Sequence, residues 1–280
     1  MSVPEQVGVY GGGRMGAGIA HAFLVAGAGV TIVETDEEAG RAAVGRVRAS
    51  LLRGEERGTL TEPAGGLVAR LVVTTTAQQL AACALVVEAV PEQVPLKQEV
   101  LRRIEQVAPE AAVATNTSSL SVDLLASVLD RPQQLLGLHF FNPAPASSLV
   151  EIVVGAATTS ELVGSAQAWV AALGKVAITV TNSPGFASSR PGVAIALEAM
   201  RMVEEAVASV EDIDTTMILG YRHPTGPLRT TDIVGLDVRL AIAEHLERDL
   251  GARFAPPAIL RAKVGAGHLG RKAGRGFYTW

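Results

Sequence analysis

The 280-residue chain is 48% hydrophobic and 19% charged, with a formal net charge of -4 at pH 7. This balance predicts a soluble globular protein and excludes the basic excess that a nucleic-acid partner requires. A single cysteine, Cys83, excludes an intrachain disulfide, and no apolar run approaches the length of a membrane span. We therefore expect a cytoplasmic protein with no membrane partner, and we predict no metal site.

An apolar strand, a glycine-rich turn and a helix are predicted in succession over residues 7–26. The turn matches the pattern G-x-G-x-x-G, in which the first glycine allows a tight turn, the second lets a pyrophosphate approach the backbone, and the third lets the helix pack on the strand. Amide groups at the start of the helix would hold the phosphates. The predicted cofactor residues here are Gly11, Gly13, Arg14, Met15 and Gly16.

A second apolar strand, residues 30–34, ends on Glu34, which is placed to accept from an adenosine ribose. Its carboxylate would also repel a 2′-phosphate, which favours NAD over NADP. Asp36 is the alternative for the ribose contact, and we prefer Glu34 because it ends the strand directly. A glycine-rich turn followed by a surface acid is the other interpretation of this pattern.

Strands and helices continue to alternate up to residue 117. Strand patterns cover residues 70–75, 84–90 and 112–117, and helical patterns cover residues 37–57, 77–82 and 94–107. This alternation predicts a doubly wound, mostly parallel sheet, whose ligands bind beyond the carboxyl ends of the strands. The polar residues expected at those ends, in a site or in surface loops, are Glu88, Glu92, Asn116 and Ser118.

Two short apolar runs, residues 135–141 and 149–154, carry His139 and Glu151. The Pro-x-Pro of Pro143 and Pro145 forces an extended turn between them. A carboxylate beside an imidazole fixes its tautomer, and such a pair suits the general base that removes a proton from an alcohol. The alternative is a histidine that packs in the core.

From the turn 182–185 onward the pattern becomes helical, with helices predicted over residues 191–207, 210–219, 233–246 and 257–264. We therefore predict a Rossmann-like domain over residues 1–183 and a helical domain over residues 184–280. The alanine, leucine and valine content of the second domain suggests that part of its surface pairs with another copy.

Eight motifs in chain order carry a resemblance that covers nearly the whole sequence. They are the glycine turn, Thr115–Leu120, Gly137–Pro143 with Leu149–Glu151, Asn182–Phe186, Glu211–Asp214, His223–Leu228, Val234–Asp237 and Gly270–Tyr278. With them the chain resembles the 3-hydroxyacyl-CoA dehydrogenases of the 3-hydroxybutyryl-CoA type. The resemblance implies an N-terminal NAD-binding domain, a C-terminal helical domain that dimerises, and an acyl-CoA substrate.

The resemblance also implies residue roles. His139 would take the hydroxyl proton, Glu151 would orient it, and Ser118 and Asn142 would hydrogen-bond the substrate oxygen. Glu92 and Lys97 would contact the nicotinamide riboside, with Asn116, His139 and the backbone at Ala89 nearby. Ser50 and Arg57 match a serine and a basic residue that the family uses against the CoA nucleotide.

The chain departs from the family pattern at two places near the expected site. Ser189 stands where the family has a substrate-facing asparagine, and Ser147-Ser148 replaces Met-Lys. These changes bear on acyl preference. An (S)-3-hydroxyacyl-CoA dehydrogenase of fatty acid, butyrate or aromatic-acid degradation is the first hypothesis. A dehydrogenase of a free hydroxy acid of the gulonate or carnitine type, and an NAD-binding structural or regulatory protein, remain the alternatives.

Overall fold

The computed structural model describes residues 2–280 and divides into two compact units, one ending at Asn182 and the other spanning Ser183–Trp280. Met1, where the predicted N-terminal domain begins, lies outside these residues. The predicted boundary, between residues 183 and 184, is one residue from this division. Among the described helices, none is long and apolar enough to cross a membrane.

The first unit is built on one eight-stranded sheet in the order β3-β2-β1-β4-β5-β6-β7-β8. The strands are β1 (Gln6–Tyr10), β2 (Gly29–Val33), β3 (Leu71–Thr74), β4 (Leu85–Glu88), β5 (Ala112–Thr115), β6 (Leu135–Phe140), β7 (Leu149–Val154) and β8 (Val176–Thr181). All neighbouring pairs are parallel except β6 and β7, which are antiparallel. The sheet is thus the predicted mostly parallel, doubly wound one, with its order reversing between β1 and β4.

Helices cover the sheet of the first unit. They are α1 (Arg14–Val25), α2 (Glu37–Glu56), α3 (Ala64–Val68), α4 (Val94–Val107), α5 (Val122–Ala126) and α6 (Ser160–Ala172). The 77–82 segment, predicted as a helix, forms a 3-10 helix. Asp36 caps the start of α2, because its side chain accepts from the Ala39 amide. Asp36, the alternative to Glu34 for the ribose contact, thus has a role as a helix cap.

The core of the first unit consists of apolar side chains, mostly aliphatic, from the sheet, α1, α2, α3 and α6. Strands β4, β5 and β6 are buried along their whole length, which explains their continuous apolar runs. Cys83 is buried, and burial raises the pKa of its thiol to about 11. It is a small residue of the core.

The second unit is helical. Its helices are α7 (Ser189–Glu204), α8 (Val210–Tyr221), α9 (Pro227–Val234), α10 (Leu236–Leu250) and α11 (Ala258–Gly265). The helix predicted over residues 233–246 is α10, but it begins three residues later, because Gly235 adopts φ +108° and separates it from α9, which was not predicted. Apolar residues of α7, α10 and their neighbours form a separate core.

Two buried aspartates fix the C-terminal segment of the second unit. The Asp232 carboxylate accepts from the amides of Phe277 and Tyr278 and from the Trp280 indole, at 2.8–2.9 Å. The Asp214 carboxylate accepts from the Tyr278 hydroxyl at 2.8 Å. Burial first, and then this bond, raise the pKa of Tyr278. The Gly270–Tyr278 motif is therefore explained by packing inside the helical unit.

Candidate active site

The glycine turn between β1 and α1 has the geometry of a dinucleotide-binding turn. Gly11 adopts φ +95°, and a Cβ at Gly16 would lie 1.8 Å from the Gly11 carbonyl oxygen, so neither position accepts a side chain. A Cβ at Gly13 would meet nothing within 4 Å. The backbone at Gly13 is therefore open to an incoming group at the N-terminus of α1, where helix amides favour phosphate.

Glu34 lies beside this turn. Its carboxylate accepts from the Gly12 amide at 2.7 Å, and Arg46 of α2 donates to the Gly12 carbonyl at 2.9 Å. The acidic residue at the end of β2 is thus adjacent to the phosphate-binding turn, as the ribose contact of a dinucleotide requires. The Ala89 backbone lies on the other side, with its carbonyl oxygen 3.0 Å from a Cβ built at Gly11.

His139 and Glu151 face each other across the antiparallel pair β6 and β7, where they are direct register partners. The His139 Nδ1 lies 2.6 Å from the Glu151 Oε2. The histidine residue is 5% exposed and the glutamate is fully buried. An ionised carboxylate only accepts hydrogen bonds, so this contact places the imidazole proton on Nδ1. The His139–Glu151 pair predicted from the sequence is therefore formed. Both residues are buried, and the low dielectric constant of the protein interior strengthens the electrostatic attraction between them.

Ser118 follows β5, and its exposed side chain stands on a turn held by Glu92. The Glu92 carboxylate accepts from the Thr117 hydroxyl at 2.6 Å and from the Ser118 amide at 2.8 Å. Asn116 is buried, and its side-chain oxygen accepts from the Phe140 amide at 2.9 Å, which links the end of β5 to the strand of His139. The hydrogen bonds of Glu92 and Asn116 thus connect the loop after β4, the end of β5 and the strand β6.

Lys97 lies beneath this edge rather than on it. Its side chain is 1% exposed, and its ammonium donates to both oxygens of Glu88, at 2.8 and 3.0 Å, and to the Val90 carbonyl. The Thr115 hydroxyl donates to the same Glu88 carboxylate at 2.6 Å. Glu88, for which both a site and a surface-loop position were open, is thus a buried partner of Lys97.

Two adjoining cavities lie between α1, α2 and the turn that follows β6. A cavity of about 240 Å³ is lined by Arg14, Arg46, Ser50 and Asn142, which brings a cofactor-turn residue and two predicted substrate residues together. The larger cavity, of about 390 Å³, is lined by a set of polar residues and by apolar ones. Its polar lining is His21, Ser50, Arg53, Arg57, Thr59 and Lys175.

The larger cavity is cationic, since no carboxylate lines it. Lys175, which precedes β8, donates to the carbonyls of Ala144 and Ser147 at 2.8 and 2.5 Å, and burial lowers the pKa of its ammonium. His21 Nδ1 lies 3.0 Å from the Ser50 hydroxyl. Burial, and then the charges of Lys175 and Arg53, lower the pKa of His21 to about 4, so this histidine is neutral at pH 7.

Sequence reasoning missed Arg53, Lys175 and His21 as cavity residues. Arg53 carried a signal, because residues 50, 53 and 57 have the spacing of one helix face. Lys175 carried none, because it comes from a turn far along the chain. Ser189 is the first residue of α7, in the helical unit.

A Rossmann-type sheet with an NAD-type turn and a buried His–Glu pair, followed by a helical unit, defines a dehydrogenase of two-domain type. Family models agree: the 3-hydroxyacyl-CoA dehydrogenase NAD binding domain matches residues 6–183, and the C-terminal domain of the same family matches residues 185–280. The chain therefore belongs to the 3-hydroxyacyl-CoA dehydrogenase family, and it is an NAD-dependent enzyme.

Known relatives cover the chain almost completely. It is 38% identical to a probable 3-hydroxybutyryl-CoA dehydrogenase of Bacillus subtilis over 99% of this chain and 97% of that protein. The crystal structure of (S)-3-hydroxybutyryl-CoA dehydrogenase PaaH1 from Ralstonia eutropha aligns with a TM-score of 0.95 at 38% identity, over 99% of each chain. That of Mycobacterium tuberculosis FadB2 aligns with a TM-score of 0.94 at 38% identity, over 100% of each.

Proposed function

We propose that the enzyme interconverts (S)-3-hydroxyacyl-CoA and 3-ketoacyl-CoA, with His139 as general base and acid and Glu151 as its orienting partner. The observation that carries this proposal is the 2.6 Å contact between the two side chains on paired strands. The reaction class is that of the 3-hydroxybutyryl-CoA dehydrogenases to which the chain is similar. It belongs to β-oxidation of fatty acids or to a related degradation of acyl-CoA.

The glycine turn fits NAD. Its open face at Gly13 admits the pyrophosphate, the amides at Arg14 and Met15 begin the helix that would hold it, and Glu34 is adjacent for the adenosine ribose. NAD bound there would supply the acceptor for the hydride of the hydroxyl-bearing carbon. At the other end of the cofactor we assign the predicted contacts of Glu92, Asn116 and Ala89, which surround the ends of β4 and β5. The predicted contact of Lys97 is replaced by an indirect role, because its buried ammonium is held by Glu88 and lies 3.4 Å from Glu92.

His139 exchanges the proton. Because its Nδ1 bonds Glu151, we assign removal of the hydroxyl proton to Nε2, on the opposite side of the ring. The Glu151 carboxylate then stabilises the imidazolium that forms. In the reverse direction, the protonated imidazole donates its proton to the substrate oxygen as the ketone is reduced to the alcohol. Positioned proton transfer of this kind contributes roughly 10²- to 10⁴-fold to a rate.

Ser118 and Asn142 are the proposed partners of the substrate oxygen. Both side chains are exposed. Ser118 lies just after β5, and Asn142 lies just after β6, the strand that carries His139. Hydrogen-bond donors aimed at an oxygen that gains negative charge stabilise the transition state by several kcal/mol, about 3 for one donor.

We assign the larger cavity to the CoA nucleotide. Its predicted residues Ser50 and Arg57 lie there together with Arg53 and Lys175. Three cationic side chains without a carboxylate favour a ligand that carries several phosphates, and arginine binds phosphate through paired donors. A free hydroxy acid carries a single carboxylate, which would offset only one of these three positive charges. Ser189, shorter than the expected asparagine, would reach substrate through a water.

Comparison of CoA thioesters with the matching free acids tests the proposal. Purified enzyme with NADH should reduce acetoacetyl-CoA, and free acetoacetate should turn over at least 100-fold more slowly.

Arg53→Gln together with Arg57→Gln should raise the KM for acetoacetyl-CoA while leaving the affinity for NADH unchanged. Faster turnover of a free hydroxy or keto acid would replace the proposal by the gulonate or carnitine type. Tight NADH binding without turnover of any substrate would favour a regulatory role.

A further inference from the structure

The carboxylate of Glu92 is bonded to three consecutive residues of the turn after β5. Its Oε1 accepts from the Thr117 hydroxyl at 2.6 Å, the Ser118 amide at 2.8 Å, and the amide and hydroxyl of Ser119 at 3.1 and 3.2 Å. Glu92 itself belongs to the loop after β4. One side chain thus ties the loop after one strand to the turn after the next.

The other carboxylate oxygen is anchored from below. Glu92 Oε2 lies 3.4 Å from the Lys97 ammonium, which is itself held by both oxygens of the fully buried Glu88. Burial opposes ionisation of Glu92, but the Lys97 charge and the bonds from residues 117–119 together keep the pKa of its carboxyl below the usual range. Both oxygens of the ionised Glu92 carboxylate are therefore held in place, Oε1 by residues 117–119 and Oε2 by Lys97.

We propose that Glu92 is a positioning residue for Ser118, which it aims at the substrate oxygen by holding the turn over residues 117–119. This proposal rests on the proposed function, in which Ser118 bonds that oxygen. The Ser118 side chain is exposed and has no strand or helix of its own to orient it. The hydrogen bond from the Ser118 backbone amide to the Glu92 carboxylate supplies that orientation. A contact between Glu92 and the nicotinamide riboside, predicted from the family, is compatible with this role but predicts a different kinetic effect.

The kinetic distinction is between kcat and the KM for NADH. A displacement of about 1 Å in a reacting group lowers a rate by on the order of 100-fold. Glu92→Ala should therefore lower kcat at saturating NADH and acetoacetyl-CoA by at least about 10-fold. Glu92→Gln keeps an oxygen acceptor at the same place and should restore kcat to within about 3-fold of wild type. A residue that contacts only the cofactor would instead raise the KM for NADH at unchanged kcat, and that result would overturn the proposal.

A double-mutant cycle tests whether the effect passes through Ser118. Once Ser118→Ala has removed the hydroxyl, adding Glu92→Ala should lower kcat by less than about 2-fold, because nothing is left to aim. Two independent effects would multiply, and multiplication overturns the proposal. The folding of each variant is compared by thermal unfolding, so that kcat refers to folded enzyme.

Hydrogen exchange provides a readout that needs no turnover. The amides of residues 117–120 should exchange at least about 10-fold faster in Glu92→Ala than in wild type. If Glu92→Ala does not fold, Thr117→Val, which removes one donor to Glu92 at nearly constant volume, should accelerate exchange of the Ser118 amide, which is bonded to Glu92. The amides of Ser119 and Leu120 are left out of that comparison, because they donate to the Thr117 hydroxyl itself. Unchanged exchange overturns the positioning role. A wild-type enzyme that turns over no 3-ketoacyl-CoA would instead refute the proposed function, while exchange would still decide the role of Glu92.

Discussion

At the scale of single residues, the neighbouring charged groups distinguish the two buried histidines of the first unit. His139 and Glu151 are both buried, and they are bonded to each other. His21 is also buried, at 6% exposed, but it lies among cations, so its neutral form is the stable one in the folded protein. The same residue type thus has opposite electrostatic surroundings at two points of one unit.

His21 should make the protein less stable in acid. Its pKa is 6.5 in an unfolded chain and about 4 in the folded protein, so between pH 6.5 and pH 4 the unfolded state binds a proton that the folded state does not. Stability is lost as pH falls through this window, by about 1.4 kcal/mol per unit and about 3 kcal/mol at most. Denaturant unfolding of wild type and His21→Gln should show a difference that is constant above pH 7.5 and shifts in favour of the variant below pH 6. A difference that is the same at pH 8 and pH 4.5 would contradict this assignment.

At the scale of the elements, the β1–turn–α1 unit separates two roles of glycine. Gly16 is required by packing, because a Cβ would lie 1.8 Å from the Gly11 carbonyl oxygen, whereas Gly13 faces open space. The two alanine substitutions should therefore differ, although the residues are three positions apart.

Gly16→Ala should destabilise the first unit by roughly 2 kcal/mol or more, since the turn must move to admit the methyl group. Gly13→Ala should leave the melting temperature within about 2 °C of wild type, yet weaken NADH binding at least 10-fold by filling the space that the pyrophosphate enters. Thermal unfolding and NADH fluorescence titration measure both variants. If Gly13→Ala binds NADH as wild type does, the turn is not the phosphate site.

The elements also show why part of the site could be predicted from the sequence. The glycine turn and Glu34 lie within one strand–turn–helix–strand unit, where local spacing fixes the geometry. The pairing of His139 with Glu151 could be proposed from two adjacent strands, but its register depends on the antiparallel turn between them. Lys175 is held at the cavity by hydrogen bonds to the carbonyls of Ala144 and Ser147. Because these residues are far from Lys175 in the sequence, no local pattern predicts the contact. The helix α9 was missed because it is short and begins at Pro227, directly after a turn rich in proline and glycine.

At the scale of the whole molecule, the sheet unit contains the cofactor turn, the His–Glu pair and the cationic cavity, and the helical unit contributes a separate core. The helical unit also carries an apolar groove between α7 and α8, lined by Ile195, Met202 and Met217 among others. Such a groove is typical of a surface that pairs with another copy, and we propose a homodimer through this unit.

Ile195→Glu should weaken that dimer. Ile195 lines the groove and is 38% exposed, so a carboxylate there can remain hydrated in the monomer but would be buried in a symmetric interface. Light scattering across a concentration series should give a dimer for wild type and a shift toward monomer for the variant. Val72→Glu, at a 48% exposed position on β3, is the matched control and should leave the mass unchanged. A monomeric wild type would contradict the proposed homodimer.

In the proposed reaction, hydride passes between NADH and the C3 carbon of a CoA thioester while His139 supplies the proton. The most direct measurement uses NADH deuterated at both C4 positions with acetoacetyl-CoA, and mass spectrometry of the product. Wild type should yield 3-hydroxybutyryl-CoA with one deuterium at C3. His139→Gln should still bind NADH and should lower the rate of deuterium transfer at saturating NADH by at least about 100-fold. Transfer at the wild-type rate in that variant, or no deuterated product from wild type, would contradict the account.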